Sequence, residues 1–358
     1  GREDRPIAID AERASGIRYG QRAFLVQLRR EGSGTVLLDS EELGDLSGLN
    51  AALGDDEWVI HSVTQDLPCL RERGMVPAVL FDTELAARLL GWEKFGLAAV
   101  AERTLGVRLA KEHSAADWST RPLPEEWLNY AALDVEVLLP IRDVLAAELV
   151  EAGRWEYAKQ EFDHLLSFQP KVHAEPWRRT HGLAKLSTRA ELARVRELWQ
   201  TRDDMAAETD IAPSKVLRDR ELIDLARSRA RSSDDILARW PRPLTRRFRE
   251  ALPCPAPGRT ADPRGAAAQA RTEQAAPVAV QSHGDQGAHR RPQASVAEVA
   301  ETEEMPHDVL LQPALVKSLA ASGRTDVEEF LTEHGARPWQ VGLTAPALSA
   351  ALDSLPNG

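Results

Sequence analysis

Hydrophobic and polar positions alternate in the first forty residues and follow a helical period after that. "PIAIDA" (6–11), "AFLVQLR" (23–29) and "GTVLLD" (34–39) are short, apolar and rich in β-branched residues, and predict three strands, with Gly32 and Gly34 marking the turn between the last two. A helix is expected near 41–53, and "EWVIHSV" (57–63) predicts a buried strand. "TQDLPCLRERG" (64–74) reads as a helix with Thr64 as N-cap and Gly74 past its end. Helices follow near 82–91 and 96–105, and a long one begins near Pro124, with Pro140 expected to kink or break it. Strands first, then strands alternating with helices, predict a mixed α/β sheet layered by helices.

Residues 176–250 read as all-helical. Leu192, Val195 and Trp199 fall on one helix face, and Thr188 and Glu191 have the spacing of a capping box. Trp177, Trp199 and Trp240 are expected to be packing residues of this block. From 253 to 295 Pro, Gly, Ala, Gln and Arg dominate, which predicts a flexible linker. Helical periodicity returns over 297–352.

Composition narrows the choices. A chain of 358 residues is long enough for two or three domains. It contains no run near the roughly 18 apolar residues of a membrane span, and no export signal is recognisable, so a cytoplasmic protein without a membrane partner is expected. Cys69 and Cys254 are far apart, which fits a reducing compartment and leaves no cysteine zinc site. The usual phosphate-cradling loops and the serine-hydrolase elbow are missing from the sequence. Net charge is −11, but it is unevenly spread: 19 basic against 31 acidic residues in 1–175, 18 against 12 in 176–250, and 8 against 13 in 251–358. An acidic block beside a basic one suits a metal site next to a polyanion-binding module, although a varied solvated surface gives the same balance.

The candidate chemistry lies in carboxylates. Asp10 and Glu12 are two apart on a strand and therefore share a face near its C-terminal end, where open α/β sheets place their ligands. Asp66 lies in the first turn of a predicted helix, where it could equally be a cap. Tyr130 and Asp134 are four apart on a helix, and Tyr130 could equally be a core residue. Four carboxylates converging on one pocket repel one another unless divalent cations neutralise them, and hard cations such as Mg²⁺ or Mn²⁺ take such oxygen ligands. Asp82 is expected to cap a helix, and His61 to be a satisfied core histidine.

The succession "IAIDAE", "HSVTQDLPCL" leading to "LFDTELAARLLG", and "WSTRPLPEEWLNYAALDVEVLLPI" resembles the exonuclease motifs of the ribonuclease D family, in the DEDD superfamily branch with Tyr in the last motif. The resemblance spans about 6–165, and 109–141 is its most specific piece. The block opening "EPWRRTHGLAKLSTRAELARVRELWQTRDDMA" resembles the helicase-and-RNase-D C-terminal (HRDC) domain, and 297–352 is read as a second, divergent copy. The resemblance implies an α/β ribonuclease-H-like exonuclease domain over 1–170 followed by all-α helical-bundle domains at 176–250 and 297–352, separated by the 253–295 linker. It also implies a 3′→5′ exoribonuclease that releases nucleoside 5′-monophosphates from tRNA and other structured RNA, with two divalent cations, Mg²⁺ or Mn²⁺. Carried over by motif, Asp10, Glu12 and Asp134 would hold one metal, Asp10 and Asp66 the second, and Tyr130 would orient the attacking water.

One departure stands out. Where many family members have an aromatic after the motif's Glu, this chain has Arg13, and Tyr19 is the remaining aromatic nearby. Tyr19, Lys111, Arg121, Arg246 and Arg247 are the expected nucleic-acid contacts, and Arg13, Arg18 and Arg22 are further candidates for phosphate. A monomer is favoured, with an RNA-processing protein as a possible partner. Two rival readings remain: a DNA 3′→5′ exonuclease with the same chemistry, and a non-catalytic nucleic-acid-binding module.

Overall fold

The computed structural model describes residues 6–109, 115–228 and 286–354. They form two compact units. One is made of the chain up to Arg13, from Arg22 to Pro170, and from residue 286 onward; the other is made of Ala14–Gln21 and the residues from Lys171 to 228. Among the described residues no helix is long and apolar enough to cross a membrane.

The first unit is built on five strands: β1 (Ile7–Arg13), β2 (Ala23–Arg30), β3 (Gly34–Asp39), β4 (Glu57–Ile60) and β5 (Val79–Asp82). Their order is β3-β2-β1-β4-β5, antiparallel across the first three and parallel from β1 to β5. This is the mixed sheet expected. The hairpin turn passes through Gly32 and Gly34, both at positive φ. β5 escaped the sequence reading: "VLFD" is four residues long and runs straight into a helix, too short to show a period. The helix expected at 41–53 is two helices, α1 (Ser40–Leu43) and α2 (Ser47–Leu53), parted at Gly44 with φ 68°.

Beyond β4 come α3 (Leu67–Glu72), α4 (Thr83–Leu89), α5 (Leu97–Leu105), α6 (Glu125–Glu136), α7 (Leu138–Glu151) and α8 (Trp155–Leu166). α3 starts later than expected: Asp66, not Thr64, holds the N-cap position. The long helix breaks at Val137 rather than at Pro140. Pro140 therefore lies in the first turn of α7, where a missing N–H leaves no helical bond unmade.

The last segment departs most from expectation. The chain is already helical from Gln286, inside the stretch read as a linker, through α12 (Gln286–Thr302); residues 253–285 lie outside those described. It continues as α13 (His307–Leu310), α14 (Pro313–Ser322), α15 (Val327–Glu333) and α16 (Pro338–Asp353). These helices form no separate bundle. Val296, Leu310, Leu319, Phe330, Trp339 and Leu348 belong to one hydrophobic core with Ala8, Val59 and Phe81 of the sheet and Leu138, Ile141 and Phe162 of α7 and α8. The joint is polar as well as apolar. Glu161, buried on α8, accepts from both guanidinium arms of Arg337 at 2.6 and 2.7 Å and from the indole N–H of Trp339 at 2.8 Å. Tyr157 stacks on Trp339 with ring centroids 4.8 Å apart. At Gly91, φ +77°, an added Cβ would collide with the backbone carbonyl of Glu304. The opposite face of the sheet has its own core, from Ile7, Ile9, Val26 and Leu28 to Trp58, Ile60 and Leu70.

The second unit carries α9 (Arg189–Thr209), α10 (Pro213–Val216) and α11 (Asp219–Arg227). The capping box forms as read, with the Thr188 hydroxyl accepting from the Glu191 N–H and the Glu191 carboxylate accepting from the Thr188 N–H. Val195, Leu198, Leu222 and Leu225 make its core, against which Trp177 is buried and Leu192 and Trp199 pack. Trp240 lies outside the described residues. Ala14–Gln21, read as part of the first domain, clusters here: Ala212 N–H donates to the Ile17 carbonyl at 2.9 Å.

Truncating Trp339 to Ala removes both its stack on Tyr157 and its bond to Glu161. Equilibrium unfolding in urea is expected to show a loss of about 3 to 5 kcal/mol, and the transition of the first unit is the one that moves.

Candidate active site

Alternation along β1 sends Ile7, Ile9 and Ala11 to one core and turns Ala8, Asp10 and Glu12 to the other face, toward α6. The cross-strand partners of Asp10 and Glu12 are Gln27 and Leu25 on β2, and these pair in turn with Leu37 and Asp39 on β3. α6 lies along this face. Its Leu128 lines a groove with Leu25, and its Glu136 accepts from Arg29 at 3.3 Å. Asp134 therefore arrives over the middle of β2, and carboxylate oxygens of Asp10, Glu12 and Asp134 lie within 4.8 Å of one another. Two strand residues and one helix residue, 122 positions apart at the closest, meet because the central strand of the sheet and a helix are laid across each other.

Asp66 completes the group. It occupies the N-cap position of α3, yet its side chain makes no capping bond, which removes the bland explanation for it. It is 5% exposed, and Arg13 pairs with it at 3.4 Å. Burial, and then the charge on Asp10, hold its carboxyl well above the ordinary carboxylate range. Burial, with the charges of Asp10, Asp134 and Asp66, pushes Glu12 up to about 9. Burial and the Asp10 charge push Asp134 up to about 7, against the hydrogen bond from Tyr130 that favours its ionised form. Asp10 is raised chiefly by burial. The Tyr130 phenol is also driven up, by burial and by the charges of Asp134 and Glu12, so it keeps its proton and donates a hydrogen bond to Asp134.

Such a set of groups fits a divalent cation. Hard oxygen donors converge, and a cation close by would favour the ionised form of each carboxyl. Gln27 adds a second sign. It is wholly buried beside Asp10, and neither its amide nitrogen nor its amide oxygen has a partner among the described residues. An amide left in that state seeks the polar shell of something bound there. The sequence reading missed Gln27, whose place in "AFLVQLR" signals only a polar residue on the Asp10 face; Leu25, Leu37 and Leu128 as walls of the adjoining groove, about 510 Å³, were likewise unread.

The other expected residues divide clearly. Asp82 is a cap: it accepts from the backbone N–H groups of Ser62, Val63, Glu84 and Leu85 at 2.9 to 3.2 Å. His61 bonds the Thr83 hydroxyl at 2.9 Å, and burial depresses it to about 4. Arg121 is engaged within the protein: it binds Asp39 at 2.5 and 2.7 Å and the carbonyls of Phe24, Trp118 and Thr120, so its five N–H groups tie β2, β3 and the segment before α6. Arg22 pairs with Glu41 and lies over the Phe24 ring. Tyr19 and Arg18 sit in the second unit, bonded to Asp203 at 3.1 Å and paired with Asp210 at 3.6 Å. Lys111, Arg246 and Arg247 lie outside the described residues.

The cluster sets the response to pH. A carboxyl raised in the folded state binds its proton more tightly there than in the unfolded chain, so its contribution favours folding at low pH and is lost as pH rises through the folded value. For Asp134 that loss is complete by about 7, and for Glu12 it continues to about 9, so between these values Glu12 carries it, in a range where His61 is neutral in both states. In EDTA the melting temperature is expected to fall across this interval. Added Mn²⁺ is expected to restore it, most strongly at the alkaline end, as differential scanning calorimetry would read.

Comparison with known proteins agrees with this geometry. Family models match as "3'-5' exonuclease" over residues 2–150, "HRDC domain" over 191–239 and "3' to 5' exonuclease C-terminal domain" over 285–352. The last of these covers the helices that share the exonuclease core, where the sequence suggested a second HRDC copy. Ribonuclease D of Escherichia coli is 34% identical over 228 residues, covering 62% of this chain and 60% of that protein. Ribonuclease D of Haemophilus influenzae is 30% identical over 240 residues, covering 64% and 59%; the chain thus spans about three fifths of the length of these curated relatives. A crystal structure of a protein from Bifidobacterium adolescentis is similar with TM-score 0.82 and 37% identity over 98% of this chain and 92% of that one. The crystal structure of Escherichia coli RNase D, described as an exoribonuclease involved in structured RNA processing, aligns with TM-score 0.70 and 26% identity over 98% and 94%. With its exonuclease, HRDC and exonuclease C-terminal regions in this order, the chain is similar to the ribonucleases D over about three fifths of their length.

Proposed function

We propose that this protein is a metal-dependent 3′→5′ exoribonuclease acting on the 3′ ends of tRNA precursors and other structured RNA. The observation that carries the reading is the convergence of Asp10, Glu12 and Asp134 within 4.8 Å, with buried Asp66 near enough for charge to act between it and Asp10 and Glu12. Asp10, Glu12 and Asp134 hold one divalent cation, and Asp10 and Asp66 a second, Mg²⁺ or Mn²⁺. Bound there, the cations supply an acidified water and charge neutralisation at the phosphodiester.

The chain's own residues do the rest. A phenol, with an ordinary pKa of about 10, keeps its proton at neutral pH, so Tyr130 orients the attacking water by its hydroxyl. The groove walled by Leu25, Leu37 and Leu128 begins beside Glu12 and gives the terminal nucleoside an apolar surface. The oxygen of water bonds to phosphorus, the bond from phosphorus to the 3′ oxygen of the preceding nucleotide breaks, and that oxygen leaves as the new 3′ hydroxyl. A nucleoside 5′-monophosphate departs. The basic balance of 176–250 and the match of its HRDC region support this module as the part that holds the RNA body.

A 3′-tailed RNA and its DNA counterpart, incubated with Mg²⁺, Mn²⁺ or EDTA, test the reading. Shortening of the RNA from its 3′ end is expected with metal, lost in EDTA and in Asp10→Ala. Equal shortening of DNA would make the protein a general exonuclease instead. Binding of RNA with no shortening of either would leave a binding module. Tyr130→Phe is expected to lower kcat by about 100-fold or more with little change in KM.

A further inference from the structure

Arg13 stands where the site has no obvious use for a cation. It follows Glu12 directly, and strict alternation would send it to the opposite face. The pairing of β1 with β2 slips there, however, from Glu12 with Leu25 to Arg13 with Ala23, and such a slip re-aims a side chain. The guanidinium ends 3.4 Å from an Asp66 oxygen. The Arg13 side chain is 22% exposed and that of Asp66 7%, so the arginine reaches the carboxylate from the solvent side. It is also the cation whose charge bears on Asp10, Glu12 and Asp66 alike. Among the described residues no other Lys or Arg is ion-paired with any of the four carboxylates.

We infer that Arg13 is a charge-exchange residue: its guanidinium holds Asp66 until a divalent cation takes that carboxylate, and it then binds a phosphate of the RNA 3′ end. The inference rests on the exonuclease reading. Its logic is competition for one oxygen. Guanidinium and metal cannot both occupy the exposed side of Asp66, so the ion pair weakens metal binding by whatever it is worth. Once displaced, a partly exposed guanidinium with five donors has a new anion within its reach, and phosphate is the ligand its planar fork matches. The exchange couples the two ligands: metal frees the phosphate binder, and RNA removes the metal's competitor.

The coupling gives opposite signs for one substitution. Arg13→Met keeps the length of the stem and removes the charge. In the full-length protein without RNA, titration calorimetry with Mn²⁺ alone is expected to show one site tightened about two- to fivefold, the worth of a partly exposed pair. In the same variant KM for a 3′-tailed RNA is expected to rise by a similar factor while kcat changes less. Arg13→Lys, which keeps the charge, is expected to return Mn²⁺ affinity to near the wild-type value. A residue that merely braced Asp66 would do the reverse: its loss would loosen the carboxylate and weaken Mn²⁺ binding. Weakened or unchanged Mn²⁺ affinity in a folded Arg13→Met protein overturns the inference while leaving the exonuclease reading intact. Tightened Mn²⁺ with unchanged KM overturns the phosphate half. A wild-type protein that neither binds Mn²⁺ nor shortens RNA overturns the exonuclease reading and this inference with it.

Discussion

Like charges gathered in a low-dielectric place are the constraint from which the rest of this architecture follows. Burial opposes the ionised form of Asp10, Glu12, Asp66 and Asp134, and each raises the cost of ionising another. A fold that brings them together must supply binding energy from elsewhere to hold an arrangement that resists itself. It does so with apolar cores on both faces of the sheet, one from Ile9 to Leu70 and one from Ala8 to Leu348. The unfavourable cluster is also what gives the site its appetite for cations: a pocket already relaxed by neutral partners would gain little from them.

Much of this was legible in the order of residues. The i, i+2 spacing of Asp10 and Glu12 and the i, i+4 spacing of Tyr130 and Asp134 are periodicities of a strand and a helix, and both were realised with side chains on the face their spacing required. The strands of the hairpin, the capping box at Thr188 and the Asp82 cap were equally local. What stayed hidden was non-local. Whether Asp66 caps a helix or faces a strand depends on where β1 passes, and whether Arg121 is free for phosphate depends on Asp39 lying 82 residues earlier in the chain. Gln27 gave no signal at all, since a lone polar residue in a strand looks the same whether it meets water or is sealed under a helix.

The end of the chain shows the same limit at a larger scale. Weak helical periodicity over 297–352 is compatible with a free-standing bundle, and nothing local distinguishes that from helices serving another domain's core. The distinction is made by Glu161 with Arg337 and Trp339, and by Phe81 and Phe330 lying in one cluster. Arg337 and Trp339 look like surface and core residues of a bundle until their partner, more than 170 positions away, is known.

This joint makes the sheet-bearing unit discontinuous. Its two parts are separated in sequence by the HRDC region and by residues 229–285, so the helical module is carried as an insertion between halves that need each other. On a ribosome the sheet, α4, α7 and α8 emerge with their Leu138–Phe162 surface still uncovered, and it stays so until residues 286–354 have been made. The inserted module, whose core is its own, can fold in the meantime. Synthesis of the chain is thereby ordered: the inserted helical module is complete before the core around the sheet is fully assembled, and a ribosome that stops early releases a chain whose sheet core is unfinished.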